Sequence, residues 1–319
     1  MRTRTRLVAA LVGLALFGPP APAQAKKLIA TPGPQRPSTL VGRADVVFVG
    51  NVIDVEKGTV EATQSRGAPK DQKISYKVAV VKIEDGIIGG KGLTQFRVGF
   101  PADAAATPAP SAGGVAPGVG GRIRPIGIAP VALLVGEEGC FFLTQHHDAD
   151  FYILASDAMG FLNKKDENYT KQLDEVKKLA KALDDPVAAL KAKELNDRFV
   201  AATVILRKYQ TPRRPGKPGA SAREPIPDEE NKLIVSLLTE LPWIPKDATS
   251  GGPGGDIPPS RSAIWTLINP VELGFKQPTV GPKVPGDTAV DYNTVMDEAT
   301  TKFLKENGEK IKIKRYVDR

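Results

Sequence analysis

The hydrophobic residues change their spacing near residue 160, and this change constrains the fold of the chain more than its composition does. Before it, short apolar runs alternate with polar residues; in residues 74–83, for example, Ile74, Tyr76, Val78 and Val80 fall on one face. After it, apolar residues recur at helical spacing, as in residues 169–183. The sequence therefore predicts the α+β class, with a small antiparallel barrel or sandwich followed by an irregular helical domain.

Short segments before residue 160 have the β-branched and aromatic content of strands, and Gly, Asp or Pro bounds them. Asp85-Gly86 and Gly89-Gly90 predict a turn or a short crossing, and residues 146–150 predict a hairpin tip. The predicted strands are residues 45–55, 74–83, 94–100, 129–135, 140–144 and 151–155.

The second part contains helical stripes with recognisable end signals. Asp185-Pro186 predicts an N-cap followed by proline in the first turn, and Asn307-Gly308 predicts a C-cap. A reset of the second helix is expected near Asn196-Asp197. The predicted helices cover residues 169–183, 187–206, 228–241, a short segment after Ser260, and 291–304.

Segments rich in Pro, Gly and Ala separate these elements, and such segments bury little apolar surface. We therefore expect a Pro-rich leader over residues 26–39, a β-barrel domain over 40–160 and a helical domain over 165–319. The loops expected to be flexible are residues 101–125 in the first domain and 211–227, 245–259 and 276–286 in the second.

The first 25 residues have the pattern of a secretory signal peptide. Three arginines precede the apolar run Leu7 to Phe17, and Ala23-Gln24-Ala25 is a small-x-small cleavage site. The run has about 11 apolar residues, whereas a membrane-spanning helix needs roughly 20. We expect cleavage after Ala25, export to the periplasm or beyond the cell, and no membrane span in the mature chain.

Cysteine and histidine are scarce, which excludes several kinds of site. The chain has one cysteine, Cys140, and two histidines. An intramolecular disulfide is therefore impossible, as is a zinc site built from four cysteines or from two cysteines and two histidines. Cys140 precedes Phe141-Phe142, which predicts a buried thiol that acts as a small hydrophobe. The alternative, a Cys140 nucleophile with His146 as its base, requires a fold-back that a straight strand does not provide.

The positive charge of the chain is spread along its length. The net charge is +8, and no basic patch with interleaved aromatic residues concentrates it. We therefore expect no nucleic-acid partner.

The residues His146, His147, Asp148 and Asp150 are the candidate metal ligands of the chain. Imidazole and carboxylate groups suit Zn²⁺ and related divalent ions. Adjacent residues on a strand point to opposite faces, so both histidines can reach one ion only if the backbone turns there. Asp is also a common turn former, so the sequence favours a polar hairpin tip without a metal over a metal site. We predict no bound cofactor.

The basic tail is a second candidate contact surface. Lys310, Lys312, Lys314 and Arg315 alternate with apolar residues, and an extended chain would place the lysines along one edge. Such an edge can contact an acidic polymer or an acidic protein surface. The alternative is an edge strand that lysine protects from aggregation.

Residues 40–155 resemble the netrin-like or metalloproteinase-inhibitor-like OB-fold domain. The resemblance rests on Ala44-Asp45 with Gly50, on the alternating segment 76–83, and on Gly136-Glu137 before Phe141-Phe142. It implies an OB-like barrel. Inhibitors of that family chelate the protease zinc through an N-terminal cysteine, which this chain lacks together with the family's disulfides. The resemblance therefore carries the fold and not the inhibitory mechanism.

No hydrolase, zincin or P-loop motif occurs, so we expect a non-catalytic protein. The predicted function is binding or scaffolding in the bacterial envelope, with an unknown protein or an acidic envelope polymer as the partner. Two alternatives stay open. One is an envelope hydrolase with a glycosidase-type carboxylate pair among the 36 acidic residues. The other is a protease inhibitor by analogy with the fold.

Overall fold

The computed structural model describes residues 36–64, 69, 71–103, 131–156, 160–212, 221–245, 258–278 and 291–318. The predicted signal peptide, most of the leader and most of the loop 101–125 lie outside these residues. So do parts of the loops predicted over residues 211–227, 245–259 and 276–286. The described part contains a β-barrel and several helices, which confirms the α+β prediction.

Five strands close into a barrel, because the order β1-β3-β4-β6-β5 ends on a strand that also pairs with β1. The pair β4–β6 is parallel and the other four pairs of the ring are antiparallel, so the barrel is mixed. Strand β2 pairs with β3, and β7 pairs with β5, outside the ring. The seven strands are β1 (Val46–Val55), β2 (Val60–Thr63), β3 (Lys73–Ile88), β4 (Gln95–Pro101), β5 (Glu138–Gln145), β6 (Tyr152–Leu154) and β7 (Phe161–Asn163).

In this half the strand predicted over residues 129–135 was wrong, and the predicted turn is confirmed at Gly89-Gly90 but not at Asp85-Gly86. Residues 131–135, the described part of the strand predicted over 129–135, form no strand; they lead into a tight turn in which the Glu137 N–H donates to the Leu134 carbonyl at 3.1 Å. Asp85-Gly86 lies inside β3, and the chain turns instead at Gly89, whose φ is +66°. A side chain there would lie 2.7 Å from the Asp45 carbonyl, so the position requires glycine.

The paired strands β1 and β5 are buried on both faces. Their inward side chains fill the barrel, where the Phe48 ring stacks on Phe96 at 5.2 Å and on Phe141 at 5.4 Å between centroids. Their outward side chains, Cys140 and Phe142 among them, belong to the core that the helices form. This double burial explains why both segments are almost continuously apolar.

Seven helices and a small second sheet complete the described part. Strands β8 (Ser221–Pro225) and β9 (Lys314–Asp318) pair with each other, so part of the predicted loop 211–227 is a strand. Helix α1 begins inside the predicted leader. The helices are α1 (Pro37–Arg43), α2 (Tyr169–Asp184), α3 (Pro186–Leu190), α4 (Leu195–Gln210), α5 (Asp228–Glu240), α6 (Arg261–Leu267) and α7 (Tyr292–Asn307).

The predicted helix ends are largely confirmed. The Asp185 carboxylate accepts a hydrogen bond from the Ala188 N–H at 3.0 Å, which makes it the N-cap of α3. Helix α7 ends at Asn307, but Gly308 keeps a right-handed conformation and starts a short 3₁₀ turn instead of a left-handed cap. The break in the second predicted helix lies between Leu190 and Leu195, just before the expected position.

Helix α4 lies at the centre of the helical core, with Ala202, Val204, Ile205 and Leu206 fully buried. The core that contains these residues also contains Val47, Cys140 and Phe142 of the barrel strands, and the described residues between 36 and 318 belong to one compact unit. The division at residues 160–165 remains a prediction about independent folding.

The buried Arg261 connects three helices. Its Nε donates to the carbonyl oxygens of Leu238 at 2.7 Å and Leu241 at 3.1 Å, at the end of α5. Its Nη1 donates to Asp297 at 3.0 Å and to Thr301 at 2.6 Å, both on α7. The guanidinium therefore satisfies carbonyl groups that the end of α5 leaves without partners.

The close approach of β5 to β7 predicts that Gly139→Ala destabilises the protein. An added Cβ would collide with the Leu162 carbonyl oxygen and the Phe161 ring. We expect a loss of about 1–3 kcal/mol in the free energy of unfolding, measured by urea titration. The control is Gly58→Ala, where an added Cβ meets no atom within 4 Å and the change should stay within about 0.5 kcal/mol. Equal stability of the two variants would contradict the packing described here.

Candidate functional site

The chain turns sharply where β5 ends, and this turn brings the two histidines together. Strand β5 ends at Gln145, and the His146 N–H donates to the Phe151 carbonyl at 3.0 Å before β6 begins. The rings of His146 and His147 stack, with 4.4 Å between centroids and 25° between planes. The predicted hairpin tip is confirmed, and both imidazoles lie on the same side because the extended alternation stops there.

The His146 side chain is completely buried. Its ring packs against Tyr76 at 5.4 Å and Phe151 at 4.9 Å between centroids, in a small core beside the barrel. Burial lowers the pKa of His146, and the neighbouring His147 lowers it further. The imidazole is therefore neutral near pH 7 and has a nitrogen lone pair to offer. Its Nε2 has no hydrogen-bond partner among the described residues.

Asp148 connects the two rings. Its Oδ1 lies 2.9 Å from His146 Nδ1 and 3.9 Å from His147 Nε2. Burial raises the pKa of Asp148, but hydrogen bonds from the Thr63 hydroxyl and N–H, together with the electrostatic influence of His146 and His147, outweigh that effect. They hold the pKa below its usual value. Asp148 is thus a carboxylate near neutral pH, and 39 % of its side chain is exposed to solvent.

Thr63, the last residue of β2, completes the group. Its hydroxyl donates a hydrogen bond to Asp148 Oδ2 at 2.6 Å. The same hydroxyl lies 2.6 Å from His147 Nε2, and it accepts a hydrogen bond from that nitrogen in the tautomer that carries the proton on Nε2. No sequence pattern indicates Thr63 as part of this group, because it lies 84 residues from His147 and no motif links the two. We refer to His146, His147, Asp148 and Thr63 as the histidine cluster.

Asp150, the fourth candidate ligand, lies outside the histidine cluster. The ligand atoms of His146, His147 and Asp148 all lie within 4.8 Å of one another, and that group does not include Asp150. The Asp150 carbonyl instead accepts a hydrogen bond from Arg97 at 3.0 Å, and Arg97 also forms a two-pronged pair with Glu56. Three of the four candidate ligands are therefore brought together.

The histidine cluster does not have the arrangement of a nucleophilic triad. In such a triad one imidazole nitrogen of the histidine contacts the nucleophilic hydroxyl, and the carboxylate accepts a hydrogen bond from the other imidazole nitrogen. Here Asp148 binds the Thr63 hydroxyl itself, and Thr63 is only 6 % exposed. The cluster is instead suited to hold a proton or a cation between two imidazoles and a carboxylate.

The single cysteine is inert in this structure. Cys140 is buried against the helices, and desolvation raises its pKa to about 12. It belongs to the helical core, whereas His146 packs beside the barrel with Tyr76 and Phe151. The prediction of a buried small hydrophobe is confirmed, and a thiolate at neutral pH is not expected.

The basic tail is partly engaged in ion pairs. Lys312 lies 2.7 Å from Asp228, and Arg315 lies 3.0 Å from Glu224 while its guanidinium covers the Tyr209 ring. Lys310 and Lys314 are exposed, and Lys314 begins the edge strand β9. A contact between this tail and an anionic partner stays a prediction. To make it, Lys312 and Arg315 would have to leave the carboxylates with which they already pair.

An apolar groove of about 260 Å³ runs between α2, α3 and α4. Small and aliphatic side chains form most of its surface, and Lys178 pairs with Asp197 at its rim at 2.7 Å. We refer to it as the α2–α4 groove. Its lining residues are Lys178, Leu179, Lys181, Ala182, Asp185, Ala188, Ala189, Ala192, Asp197, Val200 and Ala201.

Comparison with known proteins gives no relative: no family model, no curated protein and no solved structure matches the chain. In the part of the chain that the structure describes, no helix combines the length and the apolar character that crossing a membrane requires.

The bridging hydroxyl in the histidine cluster predicts the effect of Thr63→Val. The substitution keeps the shape of the side chain but leaves Asp148 and His147 without their shared partner. We expect a loss of about 1–3 kcal/mol in the free energy of unfolding. Thr63→Ser keeps the hydroxyl and should lose less, and both are measured by urea titration. A valine variant as stable as the wild type would show that the bridge contributes nothing.

Proposed function

We propose that this chain is an exported, non-catalytic binding protein, and that its partner is a protein that inserts apolar side chains into the α2–α4 groove. The groove itself is the observation that supports the proposal. Its floor contains the buried Leu179 and Ala201, and Val200 and four further alanines leave apolar surface accessible above them. Apolar side chains of a partner can be desolvated there.

The size of the groove favours side chains over a free small molecule. Ligand pockets for small molecules usually enclose about 300–1,000 Å³. The α2–α4 groove has about 260 Å³ and opens to solvent along the helices. A volume of this kind fits the anchor residues of a protein partner, which carry most of the binding energy in many interfaces.

The rim charges favour a polypeptide over an acidic polymer. Two lysines and two aspartates surround the groove, and one pair, Lys178 with Asp197, is already in contact. The two aspartates would repel a polyanion, whereas a protein surface can offer opposite charges to both the lysines and the aspartates. An acidic polymer would instead be expected at the exposed tail lysines, Lys310 and Lys314.

No observation in the described residues favours the hydrolase alternative. A surface cavity of about 510 Å³ on α7 does carry Asp297, Glu298 and Glu306. Asp297 is bound to Arg261, however, and Glu306 lies 4.0 Å from Lys302 on the next turn. Two of the three acids are therefore paired with neighbouring cations, which is typical of a solvated helix face.

The barrel supports a relation to the netrin-like domain only at the level of its fold. Its closed ring of five strands is compatible with an OB-like fold. Of the elements quoted for the resemblance, Ala44-Asp45 lie just before β1 and Gly50 lies within it. Residues 76–83 lie in β3, Gly136-Glu137 at the turn before β5, and Phe141-Phe142 in β5. Protease inhibition in that family uses the N-terminus, and residues 1–35 of this chain lie outside the described part.

Export predicts a specific mature N-terminus. If signal peptidase cleaves after Ala25, the protein isolated from the periplasm or the medium begins at Lys26. The measurement is N-terminal sequencing, together with the intact mass, of protein recovered from fractionated source cells. Recovery from the cytoplasm with residues 1–25 intact would contradict the proposed location.

The groove predicts that Ala188→Arg abolishes partner binding. Ala188 is exposed on α3, so an arginine fits without disturbing the core but fills the groove. The experiment is affinity capture from an envelope extract, with bound proteins quantified by mass spectrometry at low and high salt. We expect a partner that the wild type retains at high salt and that Ala188→Arg retains at least tenfold less.

Two controls make this experiment specific. Ser236→Arg adds the same charge to an exposed site on α5 and should retain the partner. Lys310→Gln with Lys314→Gln tests the tail without removing the buried Ile311 and Ile313 that a truncation would delete. A partner that Ala188→Arg retains fully, or that the tail variant alone loses, would overturn the assignment of the groove.

A further inference from the structure

We propose that the histidine cluster is a binding site for a zinc-like divalent transition metal, with His146 Nδ1, His147 Nε2 and Asp148 Oδ1 as its three protein ligands. Nothing in the proposed function requires this site. It belongs to the barrel and its hairpin, whereas the α2–α4 groove belongs to the helices, so either proposal can fail alone.

The distances between the ligand atoms fit a small ion. Zinc binds imidazole nitrogen at about 2.0–2.1 Å and carboxylate oxygen at about 2.0–2.2 Å, so neighbouring ligands of a tetrahedral site lie about 3.3 Å apart. In the histidine cluster one such distance is 2.9 Å and another is 3.9 Å. One ligand atom from each of the three residues lies within 4.8 Å of the other two. The two stacked imidazoles must rotate so that their in-plane lone pairs point at one ion.

Most of the scaffold around the ligands is in place, and metal binding requires an exchange at Thr63. The Thr63 hydroxyl must give up its 2.6 Å contact with His147 Nε2 while it keeps its hydrogen bond to Asp148 Oδ2. Tyr76 and Phe151 hold the His146 ring, and the backbone hydrogen bond of His146 to Phe151 fixes the turn. The Thr63 hydroxyl and backbone N–H orient the second oxygen of Asp148. Such outer hydrogen bonds position metal ligands and commonly contribute about 10–100-fold to affinity.

The burial of the three side chains leaves one side of the site open. The exposed fraction rises from zero for His146 to 14 % for His147 and 39 % for Asp148. An ion held by these atoms therefore has protein on one side and solvent on the other. A water molecule can take the fourth position, as in zinc sites with three protein ligands.

The ligand types select the class of metal. Two imidazoles with one carboxylate suit Zn²⁺, Cu²⁺, Ni²⁺ and Fe²⁺, whereas Ca²⁺ and Mg²⁺ require oxygen ligands in larger number. In the metal-free state His146 Nδ1 and Asp148 Oδ1 stand at hydrogen-bond distance. An ion bound at Nδ1 would displace this contact and the hydrogen bond that Nδ1 accepts from the Asp148 N–H at 3.3 Å.

The three metal ligands lie on the hairpin between β5 and β6, and Thr63 of β2 holds the Asp148 carboxylate in place. The complete site therefore exists only in the folded protein. A ligand that binds only the folded state raises the ratio of folded to unfolded protein, by about 100-fold when its free concentration is 100 times the dissociation constant. We therefore expect Zn²⁺ to raise the thermal midpoint of the purified, tag-free protein, and EDTA to reverse this shift.

The direct test is a titration of metal-stripped, tag-free protein. Zn²⁺ binding is followed by calorimetry, and Co²⁺ binding by visible absorption and by the imidazole NMR signals. The chain has only two histidines, so a single variant that lacks one of them assigns the imidazole NMR signals of both. We expect one ion per chain and shifts of both imidazoles. Overturning results are an absence of binding at millimolar metal, unshifted imidazole signals, or a thiolate-to-cobalt band that would place the ion on Cys140.

Variants separate the site from adventitious binding. His147→Gln and Asp148→Asn replace the two partly exposed ligands, so the barrel should still fold, as circular dichroism will verify. Each should weaken Zn²⁺ binding at least tenfold. Asp150→Asn, on the same hairpin but outside the ligand group, is the matched control and should bind as the wild type does. Equal affinity in all three variants would overturn the proposal.

Discussion

The double burial of β1 and β5 is the constraint on which the rest of the structure depends. One face of this strand pair fills the barrel with Phe48 and Phe141, and the other contributes Val47, Cys140 and Phe142 to the helical core. Exposing either face would bring a large apolar area into contact with water. Packing inside the barrel and packing against the helices therefore both stabilise the same two strands. Close-packed glycines, Gly50 opposite Gly139, allow neighbouring backbones to approach this pair.

The histidine cluster is a consequence of how β5 ends. The strand leaves the doubly buried region at Gln145, and the chain then turns instead of continuing its alternation. His146 remains in an apolar environment, while Asp148 reaches solvent. A buried imidazole, a carboxylate and a threonine from another strand therefore meet at a point that is packed against the protein on one side and exposed to solvent on the other. The α2–α4 groove has a different origin, in small side chains on three helices.

The local elements were largely predictable because their signals are local. Asp185 caps α3 as its position before Pro186 predicts, and the alternation in residues 74–83 lies within β3. The prediction of a strand over 129–135 was wrong because a strand also needs a neighbouring strand to pair with, and apolar residues alone do not provide one. Leu134 and Val135 are exposed, and a turn follows them. Strands β2 and β7 were missed because four and three residues carry too little periodicity.

The sequence by itself determined the class of the fold, the burial of Cys140 and the impossibility of a disulfide or a cysteine-rich metal site. These properties follow from residue types and from spacing along the chain. Only the tertiary structure decided that the barrel closes through β5 and β1, that one pair of its strands is parallel, and that Thr63 meets His147 and Asp148. The physical reason is distance along the chain. A contact across 84 residues depends on strand register and on a backbone turn, and neither leaves a pattern in the residues nearby.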